Sequence, residues 1–146
     1  MFCKICNSSS ALFDRAIILN KYNAEYYICE NCGFVQTEDP FWLEEAYKES
    51  INTSDTGIIK RNVLFSKQTA VVLSFFYNKK DSYLDFAGGY GLFTRMMRDI
   101  GYDFYWHDKY SANLMARGFE HSQNKTYKLI TVFECFEHFI HPKNEL

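Results

Sequence analysis

This sequence lacks long hydrophobic runs, a surplus of charge of either sign, and more than two prolines. No stretch approaches the roughly 18 uninterrupted apolar residues of a membrane span, and the start, Met-Phe-Cys-Lys, has no apolar signal region. Sixteen basic and eighteen acidic residues give a net charge of −2, which leaves no basic surface for nucleic acid. We therefore predict a soluble, cytoplasmic protein with no membrane and no nucleic-acid partner.

Apolar and aromatic residues are abundant in the 146 residues: 47% are hydrophobic and 18% aromatic. This composition predicts a packed globule, and the length suits one average domain or two small ones. Internal repeats and low-complexity tracts are absent from the sequence.

The five cysteines are few but regularly spaced. Cys3 and Cys6 form one Cys-x-x-Cys pair, Cys29 and Cys32 form a second, and Cys135 stands alone. A reducing compartment disfavours disulfides, whereas two such pairs together supply four thiolates for tetrahedral zinc. The spacing therefore predicts a zinc site, with two unrelated reduced pairs as the alternative.

A glycine-rich stretch carries the second pattern. A short apolar run, Tyr83 to Phe86, precedes a glycine-rich turn, Ala87 to Gly91, and Leu92 to Ile100 follows with apolar residues at helical spacing. A second aromatic run, Phe104 to Trp106, then leads to Asp108. Strand, glycine loop, helix, strand and acid in this order predict the front half of a nucleotide-binding unit.

The two acids that flank this unit suggest which ligand it binds. Asp108 would follow the second strand, where a carboxylate can accept hydrogen bonds from ribose hydroxyls. Asp85 precedes the glycines and would suit a positive group such as an ammonium. A dinucleotide fingerprint asks for Gly or Ala three positions after Gly91, and Thr94 stands there, so NAD fits poorly. An ordinary turn with glycines for packing is the alternative.

The segment Asp85-Phe-Ala87-Gly-Gly89-Tyr-Gly91 resembles the first motif of class I S-adenosylmethionine-dependent methyltransferases, acid-x-Gly-x-Gly-x-Gly. Ala87 replaces the first glycine, which we expect the loop to tolerate. The resemblance implies a Rossmann-like fold and S-adenosylmethionine as cofactor. It also implies that the loop from Asp85 through Ala87 and Gly89 to Gly91 holds the methionine part and that Asp108 holds the ribose.

Residues after the predicted fourth strand add three candidates. Glu134 stands at the carboxyl end of that strand, where open α/β sheets bind ligands, and we count it with the cofactor-binding residues. Glu137 and His138 resemble a Glu-His pair in the same family, which implies that His138 serves as general base. A helix-start glutamate beside a partly exposed histidine is the alternative.

The resemblance also bears on the methyl acceptor. An Asn-Pro-Pro-aromatic signature is absent, and Phe133-Glu134-Cys135-Phe136 stands in its place, which argues against acceptors with amide or base nitrogens. Relatives that carry a zinc ribbon imply a small-molecule acceptor, a sugar or nucleotide sugar. A non-catalytic zinc-ribbon binding module, whose partial α/β domain docks on a partner chain, is the alternative function.

The predicted fold class is α/β, an incomplete Rossmann-like methyltransferase sheet of about four strands preceded by a small zinc ribbon. We expect the ribbon at residues 1–39, a helical linker at 40–57, and the N-terminal part of the methyltransferase domain at 58–146. Within these bounds we predict helices over 41–48, 57–77, 92–100 and 111–117, one opening at 134, and short strands at 119–120 and 129–133.

The family fold has seven strands, and this sequence predicts four. We therefore expect a chain truncated after the fourth strand, which leaves that strand at an open, apolar sheet edge. Such an edge predicts self-association or a partner chain.

Overall fold

The computed structural model describes residues 1–46 and 55–144. The chain forms two compact units, one of Met1–Lys48 with Phe136–Leu146 and one of Glu49–Cys135. The predicted boundaries at 39 and 57 remain predictions. Most of the polar stretch at 49–56 and the end of the predicted helix at 41–48 lie outside the described residues. No helix in the described ranges is long and apolar enough to cross a membrane.

The first unit contains a three-stranded antiparallel sheet in the order β1-β2-β3. The strands are β1 (Ser10–Ile18), β2 (Tyr22–Cys29) and β3 (Val35–Thr37). Three residues, Leu19 to Lys21, join β1 to β2. Leu19 and Asn20 both adopt φ near 55°, and the N–H of Lys21 donates to the Ile18 carbonyl at 3.1 Å, so the hairpin turns tightly. A bulge between Leu12 and Asp14 shifts the register of β1.

Two short helical segments also belong to the first unit. Helix α1 (Leu43–Ala46) is the described part of the helix predicted at 41–48, and its Glu45 accepts hydrogen bonds from Lys21 and Tyr22. A single 3₁₀ turn, Phe136–His138, replaces the longer helix expected to open at Glu134.

The second unit is built on a parallel sheet in the order β5-β4-β6. The strands are β4 (Ser82–Phe86), β5 (Asp103–His107) and β6 (Leu129–Val132), and β4 lies in the centre. Asp85 is in register with Trp106 on one side and with Thr131 on the other. The strand predicted at 119–120 is reduced to one parallel bridge between Trp106 and Glu120.

Helices α2 (Ile58–Phe76) and α3 (Leu92–Asp99) supply the apolar partners of this sheet. Their bounds agree with the helices predicted at 57–77 and 92–100, and Gly101 with φ 92° follows the end of α3. Buried residues from the helices, β4, β5 and the turn before β5 make one core: Leu73, Tyr83, Phe93, Met97, Tyr102 and Phe104.

The prediction of a helix at 111–117 is wrong, because these residues form turns and bends. The side chain of Asn113 accepts from the N–H of Ala116 at 2.9 Å and donates to its carbonyl at 2.8 Å. The N–H groups of Leu114 and Met115 donate to the Tyr90 carbonyl. These bonds satisfy the backbone without a helix, which is how asparagine competes with helical hydrogen bonding.

Candidate functional site

Backbone hydrogen bonds within the loop and to β5 fix the loop between β4 and α3. The N–H of Gly91 donates to the Gly88 carbonyl at 2.9 Å, and the N–H of Gly88 donates to the carbonyl of His107 at 3.1 Å. Gly91 adopts φ 84° as the residue that opens α3, a conformation that glycine takes without strain. The loop therefore turns sharply at the carboxyl ends of β4 and β5.

Gly88 is the glycine that the interior requires, although the motif leaves its position unspecified. A Cβ there would lie 2.6 Å from Asp85 Oδ2 and 2.8 Å from Trp106 Cδ1. At Gly89 a Cβ would meet no atom within 4 Å. The two glycines thus have different roles. Gly88 lets the loop pack against the core, and Gly89 leaves the outer face of the loop open to a ligand.

The carboxyl group of Asp85 supports this loop from beneath. Only 2% of the residue is exposed, and burial raises its pKa to about 7 because an ionised carboxylate is poorly solvated there. Hydrogen bonds from the hydroxyl and the backbone N–H of Thr94 oppose this rise only in part. The Thr94 hydroxyl donates to Asp85 Oδ2 at 2.8 Å. Thr94, which departs from the dinucleotide-binding pattern, is thus the hydrogen-bond partner of the buried Asp85.

Ala87 stands where the family motif has its first glycine, and the structure explains that preference. Its φ is 57°, in the left-handed region that costs a residue with a Cβ roughly 1–2 kcal/mol. The loop therefore accommodates the alanine by bearing local strain.

Asp108 is bound to the glycine loop by its side chain. Its Oδ2 accepts the N–H of Gly89 at 2.9 Å, and its Oδ1 accepts the N–H groups of Tyr110 and Ser111 at 2.8 and 2.7 Å. A carboxylate offers about four acceptor positions, so about one remains for a ligand. Trp106 holds the other side of Gly89, because its indole N–H donates to the Gly89 carbonyl at 2.9 Å.

Glu134 lies two residues beyond β6, at the same carboxyl edge of the sheet as the glycine loop. Its φ of 50° is in the left-handed region, and its side chain is 56% exposed. Arg61 Nε lies 3.8 Å from Glu134 Oε2. No sequence pattern indicated Arg61, since 73 positions separate it from Glu134 and no motif connects them.

Glu137 and His138 fall in the 3₁₀ turn Phe136–His138, which groups with the first unit. Glu137 Oε1 and His138 Nε2 are 4.0 Å apart, and both side chains are more than half exposed. Their assignment as catalytic residues remains a prediction.

The four paired cysteines come together as the spacing predicts. All four sulfurs lie within 4.8 Å of one another, and the closest pairs are 3.5–3.6 Å apart. Four sulfurs at about 2.3 Å from a central zinc would lie about 3.8 Å from each other, so the donor set fits this ion. Hydrogen bonds from Ser8 lower the pKa of the Cys6 thiol to about 5, which favours the thiolate at this position. Despite a hydrogen bond from the Phe34 backbone, burial and the neighbouring cysteines raise the pKa of Cys32 to about 12, so a bound cation would be needed to ionise all four thiols.

The two Cys-x-x-Cys turns share one backbone geometry. The N–H of Asn7 donates to the Cys3 carbonyl, as the N–H of Gly33 does to the Cys29 carbonyl. Asn7 and Gly33 both have positive φ, 60° and 72°. The sequence indicated Gly33 alone, but asparagine also adopts this conformation readily.

The parallel strand order, the glycine loop and the acid after the second strand define a class, the Rossmann-like cofactor-binding domains. Residues 60–146 match the protein family described as methyltransferase domain. Since the match covers more than half of the chain, the chain belongs to this family, and the resemblance drawn from Asp85–Gly91 is confirmed. A search of curated proteins found no match.

Proposed function

We propose that this protein is an S-adenosylmethionine-dependent methyltransferase for a small-molecule acceptor, a sugar or nucleotide sugar. The observation that carries the cofactor is the loop at Gly88 and Gly89, closed from beneath by Asp85 and open on its outer face. Membership of the methyltransferase family supports the reaction type. The acceptor class rests on the resemblance to ribbon-bearing relatives.

The chain's own residues would hold the cofactor in three ways. The outer face of Gly89 admits close approach of the methionine part, and the remaining acceptor position of Asp108 suits a ribose hydroxyl. Asp85 acts on the shape of the loop, because its carboxyl group contacts Thr94 and the underside of Gly88. Glu134 presents an exposed carboxylate to the same edge.

When bound, S-adenosylmethionine supplies an electrophilic methyl group. The protein then has to hold an acceptor oxygen or nitrogen in line with that carbon and take up the acceptor's proton. We assign the proton to His138, with Glu137 beside it, as the family pair implies.

We further propose that Cys3, Cys6, Cys29 and Cys32 bind one structural zinc ion. Four thiolates complete a tetrahedral shell and leave no open position for catalysis. A three-stranded sheet of this size buries little apolar surface, so metal binding would supply much of its folding free energy.

The test of the cofactor is calorimetric titration of the wild-type protein with S-adenosylmethionine and, separately, with NAD. We expect binding of the first alone. An Asp108→Asn variant should bind S-adenosylmethionine about 10- to 100-fold more weakly, since a polar contact to a charged group is worth roughly 1.5–3 kcal/mol. The amide nitrogen of the introduced asparagine cannot accept a hydrogen bond. The variant would therefore also lose the bond from the N–H of Gly89 or the bonds from the N–H groups of Tyr110 and Ser111.

The test of the reaction is methyl transfer from labelled S-adenosylmethionine to a panel of sugars and nucleotide sugars. Transfer that fails in a His138→Gln variant with unchanged cofactor affinity supports the role of His138. Cofactor binding without transfer to any acceptor supports the binding-module function, and binding of NAD alone would overturn the proposal.

The edge strand β6 points to association of chains. In the described residues β6 pairs with β4 alone, and its Ile130 is 53% exposed. We propose that this edge pairs with a second copy of the chain.

We also propose that the protein is located in the cytoplasm.

A further inference from the structure

Glu134 has a backbone conformation that its sequence does not favour. A glutamate with φ near 50° is uncommon, and residues held in such regions cluster at ligand sites, where surrounding contacts over-determine them. Its carboxylate is more than half exposed at the carboxyl edge of the sheet. Contacts from elsewhere in the fold must therefore hold this turn.

The first two turns of α2 hold Glu134 and the residue before it. Arg61 Nε lies 3.8 Å from the Glu134 carboxylate. Phe65, one helical turn later, stacks on Phe133 with ring centroids 4.4 Å apart and planes 6° apart. One face of α2 thus contacts both Phe133 and Glu134, just after the end of β6.

Asp55 holds the Arg61 side chain independently of Glu134. Its Nη2 donates to both carboxylate oxygens of Asp55, at 2.9 and 2.8 Å. Gly57 lies so close that a Cβ there would be 2.6 Å from Arg61 Nη1. Arginine loses less freedom per hydrogen bond than lysine in such a fork, so the guanidinium reaches Glu134 in a prepared orientation.

We propose that Arg61 is a positioning residue of the methyl-transfer site, which acts by holding the Glu134 carboxylate in place for the cofactor. This inference rests on the proposed function for the identity of the ligand. The guanidinium stands between Asp55 and Glu134 and balances part of their charge. The Glu134 side chain is thereby held, more than half exposed, at the edge where the glycine loop ends.

The experiment is a double-mutant cycle with Arg61→Gln and Glu134→Gln, read by calorimetric titration with S-adenosylmethionine. Lys60→Gln is the matched control, because it removes the same charge from the neighbouring exposed position of α2. We expect each single variant to bind about 5- to 10-fold more weakly, the double variant to bind no more weakly than Glu134→Gln alone, and the control to bind as the wild type. Arg61→Lys should recover only part of the affinity.

A second measurement does not depend on the cofactor. Amide hydrogen exchange at residues 133–135 of the ligand-free protein should speed up severalfold in Arg61→Gln and stay unchanged in Lys60→Gln. Independent, additive losses in the cycle would overturn the role of Arg61, and so would unchanged exchange at these amides. If the wild-type protein does not bind S-adenosylmethionine, the proposed function fails while the exchange result still decides whether Arg61 positions Glu134.

Discussion

Among single residues, Asp85 does the most to shape the candidate site. Its carboxyl group lies under the glycine loop, and two contacts define the fit: the Thr94 hydroxyl on α3 and the space beneath Gly88. Because burial raises its pKa to about 7, its charge changes near neutral pH. The residue therefore connects the shape of the loop to pH.

We expect the stability of the second unit to fall as pH rises from about 4 to 7. The folded pKa of Asp85, about 7, lies above the ordinary aspartate pKa of 3.8, so between these values the folded state binds more protons than the unfolded state. The effect is of the order of a few kcal/mol and is complete above the folded pKa. Urea unfolding of wild-type protein and of Asp85→Asn, from pH 4 to 8, measures it.

The difference between the two proteins is the informative quantity, because contributions from the cysteine thiols cancel in it. The variant should show a flatter profile than the wild type in this range. Equal slopes for both proteins would contradict the assignment of the titration to Asp85.

A second expectation at the same scale concerns the strained alanine. Ala87→Gly should stabilise the protein by about 0.5–1 kcal/mol, since relief of the left-handed conformation exceeds the extra backbone entropy of glycine in the unfolded chain. Thermal unfolding measures the change. Ala70→Gly in α2 is the matched control and should destabilise by about 1 kcal/mol. A loss of stability at both positions would argue against the observed φ of Ala87.

Among the elements, we expect the two Cys-x-x-Cys turns to stabilise the sheet of β1, β2 and β3 by binding the proposed zinc ion. Purified protein should contain one zinc ion per chain, and a strong chelator should expose residues 1–46 to proteolysis while β4, β5 and β6 stay resistant. Metal analysis and limited proteolysis test this. Cys6→Ser should lose the zinc, whereas Cys135→Ser, with a buried cysteine outside the cluster, should keep it.

Elements whose local sequence and tertiary contacts agree were predictable. The apolar spacing of Leu92 to Ile100 and the glycine that follows predict α3 to within one residue. The conformation of residues 111–117 was not predictable, because helix propensity does not reveal that the Asn113 side chain forms hydrogen bonds with the backbone of Ala116. Arg61 was equally hidden, since only the packing of α2 against the end of β6 brings it to Glu134.

The same contrast applies to the glycines of the candidate site. The motif indicated Gly89 and Gly91 by position, but the need for Gly88 follows from the location of the Asp85 and Trp106 side chains above their strands. Sequence spacing identifies a loop that approaches a ligand. The choice of which glycine faces the core depends on the register of β4 with β5, which spacing does not fix.

For the whole molecule, the exposed edge of β6 predicts association that depends on concentration. Sedimentation of the wild-type protein should show dimers or larger species that dissociate on dilution. Ile130→Lys places a charge on the edge and should give monomers. Ile59→Lys is the matched control, since Ile59 is also more than half exposed, on α2, and it should leave the association unchanged. Dissociation caused equally by both variants would locate the contact elsewhere.

The buried acid beneath the glycine loop also affects how heats are measured for this protein. At neutral pH about half of the folded molecules carry a proton on Asp85, whereas the unfolded chain carries almost none there, so unfolding releases roughly half a proton to the buffer. The apparent unfolding enthalpy should therefore differ between phosphate and Tris, whose ionisation heats differ. A calorimetric series in the two buffers counts that proton directly, and Asp85→Asn should remove its share of the difference.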